Sequence, residues 1–249
     1  MKVSIVGGGN VAFHFHKAFQ QARHKVQHIY VRNPKSVSWA IARPVTDLEK
    51  DDSELLMLAV SDHAIKEIAD RYDLGSFSMV VHCSGAVSLD VFKDTNLTHY
   101  GVFYPLQTMS RHKTIDYSQV PLYIEANSPE SEERLIRLGK SISKNVDKMN
   151  SEARMKAHVA AVFASNFTNY LLAVAEDLLQ LHNLDRSLLY PLLDETIEKF
   201  KDQGALVSQT GPAIRGDNDT IKKHLENIED PTYRKIYQLL TDVIQSKFR

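Results

Sequence analysis

Lys2-Val3-Ser4-Ile5-Val6-Gly7-Gly8-Gly9-Asn10-Val11-Ala12 decides the fold of this chain. A short apolar strand runs straight into a glycine-rich turn, and the turn feeds a helical stretch, Asn10–Gln21. A G-x-G-x-x-G/A pattern carries meaning only in that strand–turn–helix setting. Gly7 allows the tight turn, Gly9 lets a pyrophosphate approach the backbone, and small Ala12 lets helix and strand pack closely. The amides that open the helix, Asn10 and Val11 among them, then face the phosphates with the helix dipole behind them.

Working outward, the 249 residues suffice for one large domain or two smaller ones. With 30 basic and 31 acidic residues, charge supplies no reason for a nucleic-acid or membrane partner. No apolar run approaches the roughly 20 residues a bilayer requires, and the start reads as a strand and not as a signal peptide. Cys83 alone makes neither an internal disulfide nor a C-x-x-C motif. His14 and His16, two apart on a helix, point in nearly opposite directions and cannot share a metal. The expectation is a soluble, cytoplasmic protein without a metal site.

The first half alternates strand and helix signals. Strands are expected at Val3–Val6, Val26–Val31, Leu55–Val60, Met79–Cys83, His99–Phe103, Leu122–Glu125 and Asn145–Met149, with helices at Asn10–Gln21 and His63–Tyr72. Near-continuous apolar strands such as Leu55–Val60 suit a parallel sheet covered on both faces. Ser128-Pro129-Glu130 reads as a capped helix start. From Ser151 onward the patterns are helical: Ser151–Leu181, a helix from Asp185 or Ser187 to Gln203, a Gly/Pro/Ser/Thr-rich loop over Gly204–Asp219, then Thr220–Ile228 and Pro231 to the end. The fold class is α/β, a Rossmann-type parallel-sheet domain (residues 1–150) followed by an all-helical C-terminal domain (151–249). The helix Ser151–Leu181 is apolar round much of its circumference, which predicts a homodimer through the helical domain.

The second strand ends in Arg32-Asn33-Pro34-Lys35-Ser36. An NAD site wants a carboxylate there for the ribose hydroxyls. Arg32 instead offers a guanidinium suited to a ribose 2′-phosphate, which favours NADP. Ligands of open α/β sheets lie beyond the carboxyl ends of the strands. Ala59-Val60-Ser61 would let the cofactor cross the sheet, and Asp62 would cap the next helix. Ser84, beside Gly85, stands where a nicotinamide or substrate should lie, with a turn-building role the alternative. His82 and Cys83 read as structural. Gln107 and Thr108 are polar contacts at the same rim.

On the long helix, Arg154, His158, Ser165 and Asn169 share one direction at about 100° per residue, with Asn166 about 80° from His158. Such a stripe either bonds across an interface or faces the cleft. In the second case His158 handles the proton that accompanies hydride transfer. Arg215, between the turns of Gly211-Pro212 and Gly216, would hold a substrate carboxylate or phosphate, unless it is a surface arginine.

The glycine turn and Arg32-Asn33 resemble the NADP-binding domain of the pyrroline-carboxylate reductase and ketopantoate reductase group, within the phosphogluconate-dehydrogenase-like superfamily. The whole chain more closely resembles bacterial Rossmann-like proteins with a C-terminal domain of unknown function, labelled NADP oxidoreductases. Ser84-Gly85-Ala86, Tyr104-Pro105-Leu106-Gln107-Thr108, His158 to Asn166-Phe167, and Thr210-Gly211-Pro212 with Arg215-Gly216-Asp217 carry that likeness. It implies the fold and the cofactor but no reaction. The superfamily's hydroxyacid dehydrogenases place a lysine on the long helix and an asparagine one turn later. Here Asn166 follows His158 by two turns and Lys156 lies about 200° from His158. The expected activity is an NADP-dependent oxidoreductase acting on a small, anionic substrate, with catalytic His158, Asn166 and Ser84, and substrate contacts from Gln107, Ser165 and Arg215. The alternatives are a non-catalytic NADP-binding sensor or regulator, or a Rossmann-like scaffold for another ligand.

Overall fold

The computed structural model describes residues 1–248. Its contacts divide the chain into Met1–Ser165 and Asn166–Arg249, one helix beyond the boundary expected at residue 150. The first unit holds an eight-stranded sheet in the order β3-β2-β1-β4-β5-β6-β7-β8. The strands are β1 (Lys2–Val6), β2 (Lys25–Val31), β3 (Ala42–Pro44), β4 (Leu55–Leu58), β5 (Met79–His82), β6 (Tyr100–Pro105), β7 (Leu122–Ala126) and β8 (Val146–Lys148). Helices α1 (Asn10–Gln21), α2 (Asp62–Arg71) and α3 (Pro129–Ile142) accompany it, and α4 (Ser151–Ala161) follows. Leu55, Leu56, Met57 and Leu58 of β4 are all fully buried, as a strand covered on both faces requires. Phe15 and Phe19 of α1 pack with Phe103 on one face, while Ile65 and Ile68 of α2 pack with Leu56 and Phe92 on the other.

Two features depart from the expected parallel sheet. β7 runs antiparallel to β6. Between them lie irregular chain and a single 3-10 turn, Tyr117–Gln119, where a parallel return usually uses an α-helix. β3 is a three-residue edge strand, too short to show any hydrophobic period. α3 then provides the crossover that makes β8 parallel to β7, with Ser128 accepting the Ser131 N–H as its N-cap.

Past Ala161 the helix opens into a π turn over Val162–Phe167 and resumes as α5 (Thr168–Gln180). The run Ser151–Gln180 is, among the described residues, the one helix long and apolar enough by length and composition to cross a membrane, where the sequence reading expected none. Its beginning is anchored in the sheet domain, because Arg154 is buried there and paired with Glu125.

The second unit continues with α6 (Tyr190–Gln203), α7 (Pro212–Arg215), α8 (Asn218–Asn227) and α9 (Pro231–Phe248). The expected loop over Gly204–Asp219 therefore contains one helical turn, α7, ended by Gly216 in the left-handed region. Among its described residues only Ile221, Ile228 and Thr241 are buried. Leu181, Leu188, Leu192, Phe200, Val207 and Leu239 are each at least half exposed.

Candidate active site

Gly7 leaves β1 at φ 137°, and a Cβ there would fall 2.1 Å from the Ala59 carbonyl oxygen. β1 and β4 can therefore run into their turns side by side only if this residue is glycine. A Cβ on Gly9, in contrast, would meet no protein atom within 4 Å. Gly9 is the N-cap of α1 and offers no side-chain bond to the first amides, and no acidic residue stands in the first turn. The positive end of α1 is thus left for an anion. Its place between β2 and β4, where the strand order reverses, is where open α/β sheets bind ligands.

A cavity of about 810 Å³ lies over this end. Gly7, Gly9, Asn10, Val11, Arg32, Asn33, Ala59, Val60, Ser61 and Gln107 all line it. The Asn10 amide itself donates to the Met109 carbonyl (2.8 Å), which seats the segment after β6 beside the cradle. The Asn33 carboxamide accepts from Lys35 N–H and the Ser36 hydroxyl donates to the Asn33 carbonyl, fixing the turn that presents Arg32. Ser36 lines the cavity and Lys35 does not. Arg71, the last residue of α2, and Tyr72, its C-cap, also line it. Sequence reading passed over them, since a basic residue in the last turn of a helix is ordinary on its own.

A second cavity of about 260 Å³ shares Val11, Ala59, Val60 and Gln107 with the first, so the two adjoin. Asp62, Cys83, Ser84, Gly85, Tyr104, Pro105 and His158 complete its walls. His158 Nδ1 is 2.9 Å from the Tyr104 hydroxyl. Both rings lie against Gly85, where a Cβ would come within 2.7 Å of the imidazole and 2.9 Å of the phenol ring. Tyr104 lines this cavity beside His158, a placement the sequence pattern did not assign. Its signal was the carboxyl end of β6, level with the Ser84 turn.

Ser84 has a turn-building role: its Oγ accepts the N–H groups of Ala86 and Val87, each at 3.0 Å. Its own N–H donates to His82 Nδ1 (3.2 Å). His82 is fully buried, and burial, followed by the nearby Arg154 charge, pushes its pKa down to about 3. It stays neutral, as an acceptor must. Burial likewise pushes the Cys83 thiol up, which keeps it a protonated, unreactive group. Beneath the loop, Arg154 pairs with Glu125 of β7, donates to the Val87 carbonyl (2.6 Å) and to Ser151 Oγ (3.1 Å). Ser151 Oγ in turn accepts from Leu89 N–H (3.0 Å). Strand, loop and helix are locked together one turn before His158.

Arg154 therefore belongs to a buried ion pair and not to a stripe facing the cleft. The π turn also ends the α-helical count on which Ser165 lined up with it. Ser165 is half-buried in that turn and lines neither cavity. Asn166 is exposed at the start of the second unit, and Arg215 is the last residue of α7 there.

A family model described as Domain of unknown function (DUF2520) matches residues 120–244. A Bacteroides fragilis protein described as a "putative NADP oxidoreductase" is 33% identical, with 98% of each chain covered and a TM-score of 0.91. The chain belongs to the DUF2520 family. Two further solved structures share its fold. An imine reductase from Myxococcus stipitatus in complex with NADP+ is 14% identical to this DUF2520 chain, covers 100% of it with 93% of its own length, and has a TM-score of 0.63. A Plasmodium falciparum pyrroline carboxylate reductase with NADP bound is 11% identical, with 100% and 98% covered and a TM-score of 0.62. A search of curated proteins finds no match. The eight-stranded, mostly parallel sheet followed by helices is the Rossmann-type architecture these structures share.

Proposed function

We propose that this protein is an NADP-dependent oxidoreductase. The observation that carries the reading is the adjacency of the two cavities, an anion cradle at the open end of α1 sharing four wall residues with a pocket lined by His158. Bound in the cradle, the dinucleotide would supply a hydride to a substrate carbon or remove one. Arg32 would grip the ribose 2′-phosphate, and Ser36 would add a hydroxyl beside it. The proteins named above that hold NADP support this choice of cofactor.

In this reading His158 handles the proton of the reaction, Ser84 and Gly85 shape the pocket floor, and Gln107 contacts substrate at the rim. Asn166 orienting substrate, Ser165 contacting it and Arg215 holding an anionic group are proposals carried by the sequence pattern. A homodimer through the helical unit, in the cytoplasm, completes the reading.

A second reading, a non-catalytic NADP-binding regulator, is favoured by Lys156, which is exposed and paired with Glu152 and does not line the pocket. Oxidation of NADPH across a panel of aldehydes, ketones, cyclic imines and keto acids separates the two. Turnover that falls by about a hundredfold in His158→Ala, with NADPH affinity retained, supports the enzyme. Tight NADPH binding with no turnover on the panel supports the regulator.

A further inference from the structure

The pocket beside the cradle contains few groups able to give up a proton. Ser84 Oγ is held by two backbone N–H groups in its turn. The Cys83 thiol is driven up by burial, and the Gln107 side chain is an amide. Asp62 stands exposed at the first turn of α2. What remains is the pair Tyr104 and His158. The phenol is 6% exposed and its ring meets the imidazole edge to face, centroids 5.9 Å apart and planes at 81°. Gly85 has no side chain to separate either ring from the loop backbone, and both rings occupy the space a Cβ would take. The remaining walls are apolar, from Val11, Ala59, Val60 and Pro105, and no lysine or arginine lines the pocket.

We infer that Tyr104 is the proton donor of this pocket, that His158 stands behind it as a relay, and that the group reduced there is a C=O or C=N whose carbon bears no charged substituent. The inference rests on the reading that NADPH occupies the adjoining cradle. As the substrate carbon receives the hydride, the π pair of the double bond passes to the heteroatom, which takes the Tyr104 proton. Tyr104 recovers a proton from His158 Nδ1, and His158 takes up at Nε2 the one solvent proton that the reduction consumes. Each group ends as it began apart from the moved imidazole proton, and the dinucleotide is the species oxidised. Burial raises the phenol pKa, against the opposing Arg154 charge and together with Tyr123, so the hydroxyl is protonated at neutral pH. An anion at the reacting carbon would find no cation in the walls and would be desolvated without compensation. The alkoxide or amide ion that begins to form is met by the phenol instead.

The test uses the full chain, with NADPH affinity from calorimetry and NADPH oxidation with an uncharged aldehyde, an uncharged ketone, a cyclic imine and a keto acid. Tyr104→Phe removes only the hydroxyl. The expected result is unchanged NADPH affinity and about a hundredfold lower turnover on an uncharged substrate. Because the two residues form one relay, Tyr104→Phe with His158→Ala should be no slower than the worse single variant. Independent losses that multiply in the double variant would overturn the relay. Turnover in Tyr104→Phe within a few-fold of the parent would overturn the donor assignment while leaving the oxidoreductase reading intact. Reduction of the keto acid alone would overturn the uncharged-group assignment. Failure of the parent to bind NADPH would sink the underlying reading, and NADPH binding without any turnover would end the catalytic role of the pair.

Discussion

Arg154 of α4 and Glu125 of β7 form an ion pair in which the arginine side chain is 1% exposed and the carboxylate 17%. This pair fixes the helix that carries His158 to the sheet, and through the Val87 carbonyl it also fixes the loop that carries Gly85.

Removing one partner should leave a desolvated charge. Arg154→Met is expected to destabilise the protein by up to about 3–5 kcal/mol, because the largely buried Glu125 carboxylate loses its counter-charge. Arg154→Met combined with Glu125→Gln should recover part of that loss. Urea unfolding of the three variants measures this, and a double variant as unstable as the single would contradict the pairing account.

His82 gives stability a defined pH dependence. Its folded pKa of about 3 lies below the unfolded value of about 6.5, so the unfolded chain binds the extra proton in between. The contribution is complete above about pH 6.5 and is lost as pH falls toward 3, by at most about 1.4 kcal/mol per pH unit. Urea midpoints between pH 7.5 and pH 4.5 should fall less steeply in His82→Gln than in the parent. Parallel profiles would show that His82 does not carry the effect.

Gly85→Ala should push the imidazole and phenol rings off the loop, since the added Cβ meets both at under 3.0 Å. NADPH affinity should hold while any turnover falls by tenfold or more, on the order of what a misplaced catalytic group costs. Steady-state kinetics beside a calorimetric titration reads both.

Much of this arrangement was legible in the sequence. The β1–α1 turn, the apolar strands and the start of each major helix follow from periodicity, glycine and capping residues that act over a few positions. Gly7, Arg32, Ala59, Ser84 and His158, which line the two cavities, were legible because each stands at a strand end or on a patterned helix. Tyr104, Arg71 and Glu125 were not. Their significance lies in partners 54 residues away for Tyr104 and 29 for Glu125, and no local pattern encodes such a pairing. The antiparallel β7 was hidden for a similar reason, since strand direction is set by what the chain does between two strands. The π turn at Val162–Phe167 broke a stripe that a uniform 100° per residue had drawn.

The helical unit should not stand alone in solution. Three buried residues among those described do not make a core, and Leu188, Leu192, Phe200 and Leu239 would stay in water in a monomer. Light scattering of the full chain at micromolar concentration should give twice 28.2 kDa, the mass of one chain. A monomer would contradict the proposed homodimer.

The most direct measurement is a calorimetric titration of the full chain with NADPH and with NADH, repeated on Arg32→Glu. NADPH should bind more tightly than NADH. The substitution should erase or reverse that preference, because losing a charge-assisted contact and adding repulsion costs on the order of 2 kcal/mol or more. Equal affinities in the parent would contradict the 2′-phosphate site, and no binding of either dinucleotide would contradict the account as a whole.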